Sequence, residues 1–193
     1  MTGIIVDLGT GDGTFTYKLA QKHPDKLIIG IDPHHKGLEK ISTRIYKKAS
    51  RGGVKNVLFV LSDAKNLPLE LKNLANQVFI NFPWGSLLRN LVCVESKLWD
   101  NIRLICQKGA LIDIILGYDE RYEKDMLERE NLPILNLDYL KDEMKPKLNN
   151  LGFRVLTIRP IKNSDLKNYP SCWAKKLAFG KNRQFFFLRA QKV

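Results

Sequence analysis

Asp7-Leu8-Gly9-Thr10-Gly11-Asp12-Gly13 follows directly on the apolar run Ile4-Ile5-Val6, and reading the two together decides the fold. Three glycines at alternate positions after a short strand let the backbone take positive φ, or approach a ligand where a Cβ would collide. A dinucleotide loop of the form G-x-G-x-x-G would need glycine at position 14, where the chain has Thr14, and no Walker lysine follows. The spacing therefore argues against nicotinamide dinucleotides and nucleoside triphosphates. A different nucleoside cofactor remains. Leu27-Ile28-Ile29-Gly30-Ile31 reads as the next strand and ends in a second acid, Asp32, whose carboxylate can accept both ribose hydroxyls.

Outward from this unit, strand and helix signals alternate. Phe15, Leu19 and Ala20 give a helical stripe, and Leu38, Ile41, Ile45 and Ala49 give a second. Residues 56–61 read as strand three, Gln77-Val78-Phe79-Ile80-Asn81 as strand four, 95–107 as a helix and 110–116 as strand five. Two later apolar runs, 153–159 and 184–189, complete the count as a terminal hairpin, and 163–182 between them reads as a long irregular stretch. This is the rhythm of an α/β fold with helices on both faces of a mostly parallel sheet. D-x-G-x-G-x-G after a first strand resembles the loop of S-adenosyl-L-methionine (SAM)-dependent methyltransferases. That likeness implies the class I, Rossmann-like methyltransferase fold with seven strands. At 193 residues the chain suits one domain, 1–193, with a basic and aromatic RNA-binding segment around 163–183.

A formal net charge of +12 and a pI near 9.6 favour nucleic acid as the macromolecular partner, because each neutralised phosphate releases counterions. An anionic membrane surface would also answer to that charge. No run approaches the ~18 apolar residues of a membrane span, and no signal peptide opens the chain, so a cytoplasmic protein with no membrane partner is expected. Cys93, Cys106 and Cys172 are odd in number and widely spaced, which reads as reduced packing residues rather than disulfides or a metal site. Lys36, Lys40, Arg44 and Lys48 recur at i, i+4 steps, with Lys47, Arg51 and Lys55 beside them. Like charges so spaced cost roughly 0.2–0.5 kcal/mol per pair. Either a polyanion compensates or the face is simply solvated.

Three segments carry candidate chemistry. Ser62-Asp63-Ala64 follows strand three, where an acid can accept the adenine amino group of the cofactor or merely serve a turn. Asn81-Phe82-Pro83-Trp84-Gly85 closes strand four, at the carboxyl edge where open α/β sheets bind ligands. Trp84, bracketed by Pro83 and Gly85, is placed as a stacking platform over the reacting methyl group, with core packing as the bland alternative. The third is 171–183, where Trp173 stands among Lys175, Lys176, Lys181 and Arg183. An aromatic among phosphate anchors suits a flipped or single-stranded base, although hydrophobic packing of Trp173 fits the pattern too. Trp99 reads as core, and His23, His34 and His35 as surface.

Leu8-Gly9-Thr10-Gly11-Asp12-Gly13, Ile29-Gly30-Ile31-Asp32-Pro33, Phe82-Pro83-Trp84-Gly85-Ser86-Leu87-Leu88 and Trp173-Ala174-Lys175-Lys176-Leu177-Ala178-Phe179-Gly180 together resemble a known family, nearly end to end. It is that of the aminoglycoside-resistance 16S ribosomal RNA methyltransferases of the kanamycin-apramycin (Kam/Npm) type. The resemblance implies methylation of N1 of adenine 1408, in the helix 44 decoding site of the small (30S) ribosomal subunit, by a monomeric enzyme. It implies that Asp7, Gly9, Thr10, Gly11, Gly13, Asp32, Pro33, Asp63 and Ala64 hold SAM. Trp84 and Trp173 would clamp the flipped adenine, with Phe82, Pro83 and Ser171 supporting the clamp. Lys175, Lys176, Lys181 and Arg183 would grip rRNA phosphates. Relatives of this type carry a docking hairpin before the first strand, whereas this sequence opens at Met1-Thr2-Gly3, so a truncated start or weaker docking is expected, with SAM binding retained. Lys65 stands where a close relative carries an acid.

Adenine N1 offers an in-plane lone pair at neutral pH, so the reaction asks for alignment rather than a general base. That fits a sequence with no evident His or Cys catalyst. Asn81-Phe82-Pro83-Trp84 also looks like a variant of the Asn-Pro-Pro-aromatic motif of exocyclic-amine methyltransferases, which would make N6-methyladenine instead. A tRNA guanine-N7 methyltransferase is a further alternative, as is a noncatalytic RNA-binding protein on a relic SAM fold.

Overall fold

The computed structural model describes residues 1–178 and 183–193, with the side chains of residues 163 and 178 set aside. Seven strands form one sheet in the order β3-β2-β1-β4-β5-β7-β6. β1 (Ile4–Leu8) and β2 (Leu27–Asp32) pair in parallel, and β3 (Val57–Leu61), β4 (Ala75–Asn81) and β5 (Cys106–Leu116) extend the parallel part. β7 (Phe185–Lys192) inserts between β5 and β6 (Phe153–Ile161) and runs antiparallel to both. The sequence-based expectation of a seven-stranded, mostly parallel α/β sheet agrees with this. Strands β1 and β2 are apolar runs because both of their faces are covered.

Val6, Leu8, Ile29 and Ile31 face one layer, where α3 (Gly85–Val92), α4 (Ser96–Ile105) and α6 (Lys145–Asn150) bury Leu88, Leu91, Trp99, Ile102 and Leu148. Ile5 and Ile28 face the other, covered by Phe15, Leu19 and Ala20 of α1 (Thr14–Lys22), beside which Leu38, Ile41 and Ile45 of α2 (His35–Ile45) pack. Trp99 is fully buried, edge-on to Phe153 at 5.2 Å. Among the described residues no helix is long and apolar enough to cross a membrane.

Several local readings change. α2 stops at Ile45, so Ala49 sits exposed in a short 3-10 turn rather than on the apolar stripe, and Lys48 lies beyond the helix. The chain then returns tightly at Gly53, where a Cβ would fall 1.7 Å from the Lys47 carbonyl oxygen. Strand three begins one residue late, at Val57; the Asn56 carbonyl still accepts the Ile28 N–H at 2.9 Å, and the Asn56 side-chain amide donates to the carbonyls of Ala20, His23 and Lys26 at 2.9–3.0 Å. The fourth helix ends at Ile105, not Gln107, since Cys106 already pairs with Ala75 in the β4–β5 ladder. The stretch 163–182 is not irregular throughout. It holds α7 (Asn163–Lys167) and α8 (Cys172–Ala178), and Leu166 and Ala174 are buried against Ile115, Ile161 and Phe185. The cysteines also differ: Cys106 is buried and Cys93 half-buried, but Cys172 is exposed, so it is not a packing residue.

Candidate active site

The site is assembled at the carboxyl ends of β1, β2, β3 and β4, with α8 closing it from one side. After β1 the chain turns through Gly9, Gly11 and Gly13, all at positive φ. Two of these glycines do different work. A Cβ on Gly13 would meet Ile41 and Phe59 at 2.7–2.9 Å, so that glycine serves packing, while a Cβ on Gly11 would meet nothing within 4 Å. Gly11 therefore faces open space, where a ligand can approach the backbone.

Asp7 lies beneath the loop, 2% exposed, and its Oδ2 accepts the Thr16 hydroxyl at 2.6 Å. Thr10 hydrogen-bonds Thr16 in turn. Burial pushes the Asp7 carboxyl up to about 6; the Thr16 and Thr10 hydroxyls and the neighbouring Asn81 amide oppose that shift, and the charge of Asp32 adds to it. Asp32 is 8% exposed, and its two oxygens accept the backbone N–H groups of Gly11 and His34, each at 2.9 Å. A carboxylate has roughly four acceptor positions, so capacity for ribose hydroxyls remains. Asp63 is exposed and accepts the Lys65 N–H at 2.7 Å, which closes a turn and leaves its other oxygen open.

At the end of β4, Phe82 has φ +51, an uncommon conformation for a non-glycine residue. It is held there by its N–H bond to the Ile115 carbonyl at 2.7 Å and by edge contacts of its ring with Tyr169 and Phe185 at 5.8 and 5.9 Å. Pro83 is buried behind it and Trp84 swings outward, 60% exposed. Trp173, on α8, is 57% exposed. Both tryptophans line one cavity of about 330 Å³, together with Asp7, Gly9, Thr10, Gly11, Asp32, Pro33, Asp63, Ala64, Asn81 and Ser171. Gly13 does not line it.

Of the basic candidates, Lys175, Lys176 and Arg183 do not line that cavity. Lys175 and Lys176 are exposed on α8, with the Lys176 ammonium 5.3 Å from the Trp173 ring centre. Lys181 lies outside the described residues. The Arg183 guanidinium is held by Glu123 of α5 (Glu120–Glu130), with Nε at 2.9 Å, and lies over the Tyr122 ring.

Two observations favour a ligand of SAM's chemistry. Asp7 is a buried carboxylate whose polar neighbours are the Thr16 and Thr10 hydroxyls and the Asn81 amide rather than a cation, and it is mostly ionised at pH 7, as the amino group of a methionine moiety would require. Asn81 supplies the other: Nδ2 is buried and, among the described residues, stands alone as a buried side-chain polar atom without a hydrogen-bond partner. It is close enough to Asp7 to affect it, yet no hydrogen bond of ordinary geometry joins the two. An orphan donor costs about 1–3 kcal/mol, which a ligand acceptor would recover.

Residues 1–192 match the family model described as NpmA, 16S rRNA (adenine(1408)-N(1))-methyltransferase. This chain belongs to that family. The Escherichia coli 16S rRNA (adenine(1408)-N(1))-methyltransferase is 41% identical over 182 residues, covering 94% of this chain and 83% of the relative. A tryptophan-to-alanine variant of the Catenulisporales acidiphilia 16S rRNA (adenine(1408)-N(1))-methyltransferase, solved with cosubstrate SAM, superposes with a TM-score of 0.89 at 31% identity, covering 100% of this chain and 86% of that one. The aminoglycoside resistance methyltransferase NpmB1 gives 0.86 at 32%, covering 100% and 88%.

Within this member of the NpmA family, sequence reasoning missed four residues. Thr16, the hydrogen-bond donor to Asp7, sits on the inward face of α1, a position that periodicity marks as apolar. Glu123 is one acid in a strongly charged helix and gives no local signal. Asn81 stood in the segment that closes strand four but was given a role of its own only in a rival motif. Tyr169 lies four residues before Trp173 and was legible as another aromatic of the same segment.

Proposed function

We propose that this chain transfers a methyl group from SAM to N1 of adenine 1408 of 16S rRNA in the small ribosomal subunit, acting in the cytoplasm as a monomer and conferring aminoglycoside resistance. The observation that carries the reading is the pair of exposed tryptophans, Trp84 and Trp173, lining the same cavity as the glycine loop and both loop acids. Large aromatics exposed at 60% and 57% on a cavity wall are poor packing and good stacking surfaces.

Asp7, Asp32, Gly11 and the Asn81 amide would hold SAM, which supplies an electrophilic methyl group on a sulfonium centre. Trp84 and Trp173 stack the flipped adenine and fix its plane, and Ser171 and Pro83 brace them. Nothing on the protein needs to take a proton, because N1 attacks with its own lone pair. The methylated base is a cation, and tryptophan faces attract it. Lys175, Lys176 and Lys181 would meet rRNA phosphates in the helix 44 region, and Arg183 would join them on leaving Glu123.

The exocyclic-amine alternative fits less well. Phe82 occupies the first proline position of that motif with φ +51, which proline, locked near −65°, could not adopt. The Asn81 side-chain oxygen Oδ1, which that mechanism would use, already accepts the Tyr169 hydroxyl at 2.6 Å.

Incubation with SAM and intact small subunits, followed by mapping of reverse-transcription stops, tests the proposal, since N1 methylation blocks the Watson-Crick edge. A new stop at adenine 1408 is expected. Methylation without a stop would favour N6 or another base, and salt-sensitive RNA binding without SAM binding would leave only the noncatalytic reading.

A further inference from the structure

Tyr169, in the turn between α7 and α8, makes more contacts with the cofactor side of the cavity than its place in the linker requires. Its ring stacks on Phe15 of α1, centres 5.5 Å apart and planes at 3°, and meets Phe82 edge-on. Its hydroxyl donates to Asn81 Oδ1 at 2.6 Å, across 88 residues of sequence. Burial pushes its pKa up, so the phenol stays protonated and remains a donor. Fixing Oδ1 also fixes the other end of the amide, the buried and unpartnered Nδ2 of a residue that lines the cavity.

The same residue sets the linker. Its carbonyl accepts the Ser171 N–H at 2.8 Å, and the Ser171 hydroxyl lies 3.5 Å from the Ala174 nitrogen. Ala174 is buried, in a cluster against which Tyr169 and Phe82 pack. Cys172 Sγ lies 3.5 Å from the Thr14 hydroxyl, at the first residue of α1. Trp173 is thus carried on a segment that docks on β5, β6 and β7 through Leu166 and Ala174 and that reaches β4 and α1, beside the glycine loop, through Tyr169 and Cys172.

We propose that Tyr169 is a positioning residue that couples cofactor occupancy to the placement of the α8 segment: an acceptor on the bound cofactor engages Asn81 Nδ2, the amide locks, and the phenol hydroxyl transmits that restraint to Ser171 and Trp173. The coupling rests on the SAM reading above. Hydrogen bonds in series polarise one another, so filling the last donor strengthens the link already present. The enzyme thereby orders its base-stacking wall when the methyl donor is aboard.

Amide hydrogen exchange of the purified full chain, with and without SAM, tests this, alongside calorimetric SAM affinity and kinetics on small subunits. In the unaltered protein SAM should slow exchange across residues 169–178 by about fivefold, the equivalent of one hydrogen bond. Tyr169→Phe keeps the ring and its stacking. It should bind SAM within about threefold of the parent, lose the SAM-dependent protection, and lose about fivefold in kcat/KM on subunits while KM for SAM hardly moves. Adding Asn81→Leu, which also removes a cofactor contact and so weakens SAM binding, should at saturating SAM cost the linker no further protection, because both changes cut one chain. Equal SAM-dependent protection in Tyr169→Phe, or a further loss of linker protection at saturating SAM in the double variant, would overturn the coupling. SAM binding by the parent without any linker protection would overturn the coupling while sparing the cofactor reading. No SAM binding by the parent would overturn both.

Discussion

At the glycine loop, Asp7 is buried at the base of a hydrogen-bonded series through Thr16 and Thr10, and Asp32 ties two backbone N–H groups. Across the same cavity, Trp173 stands more than half exposed on a seven-residue helix. The first region is held by buried polar bonds that belong to the sheet edge. The second depends on a small apolar cluster and a few anchors. A cofactor that stays through many encounters needs a preformed cradle, whereas a base delivered by a large RNA needs a wall that can receive it. The tryptophans show the same division: Trp99 is fully buried and Trp84 is 60% exposed.

That contrast can be broken by substitution. Trp99→Ala removes a fully buried indole and its edge contact with Phe153, a cost of about 3–5 kcal/mol, or a melting point lower by roughly 6 to 20 °C. Thermal denaturation without ligand measures it, and a change under about 1 kcal/mol would mean the core repacks around the gap. Trp84→Ala and Trp173→Ala should behave oppositely. Each loses stacking worth about 1–3 kcal/mol, hence roughly 5- to 150-fold in methylation of small subunits, with SAM affinity and melting temperature nearly unchanged. Full activity in both variants would remove the stacking role; a large loss of thermal stability in either would move that tryptophan into the company of Trp99.

The same contrast explains what the sequence could say. β1 and β2 are continuous apolar runs because helices cover both faces, and the glycine spacing advertises positive φ directly. Asp7, Asp32 and Trp84 were legible because each stands at or next to a strand end, and Trp173 because it is an aromatic set among basic residues. The conformation of Phe82 was not, since its positive φ is imposed by the Ile115 carbonyl and two aromatic neighbours, contacts far away in the chain. Nor were α7 and α8: one has five residues and the other seven, too short to form on propensity, and their order comes from Leu166 and Ala174 docking on β5 and β7. The insertion of β7 between β5 and β6 is likewise a tertiary choice that leaves no periodicity behind.

The smallest effect sharpens the cradle side of the comparison. Asp7 titrates near 6 because burial disfavours its charge, so in the ligand-free protein the ionised carboxylate is a cost that falls away as pH drops from about 6 toward 4. A cationic amino group bound beside it reverses the preference and favours ionisation. SAM affinity should therefore be nearly flat above pH 7 and fall about tenfold by pH 5, while the ligand-free fold gains stability from this group over the same acid window. Asp7→Asn, which cannot ionise, should bind SAM weakly at every pH and show neither trend. Calorimetric titration of both proteins between pH 5 and 7.5 reads the difference. Parallel pH profiles would mean that Asp7 shapes the loop through Thr16 alone and that the cofactor's charge is met elsewhere.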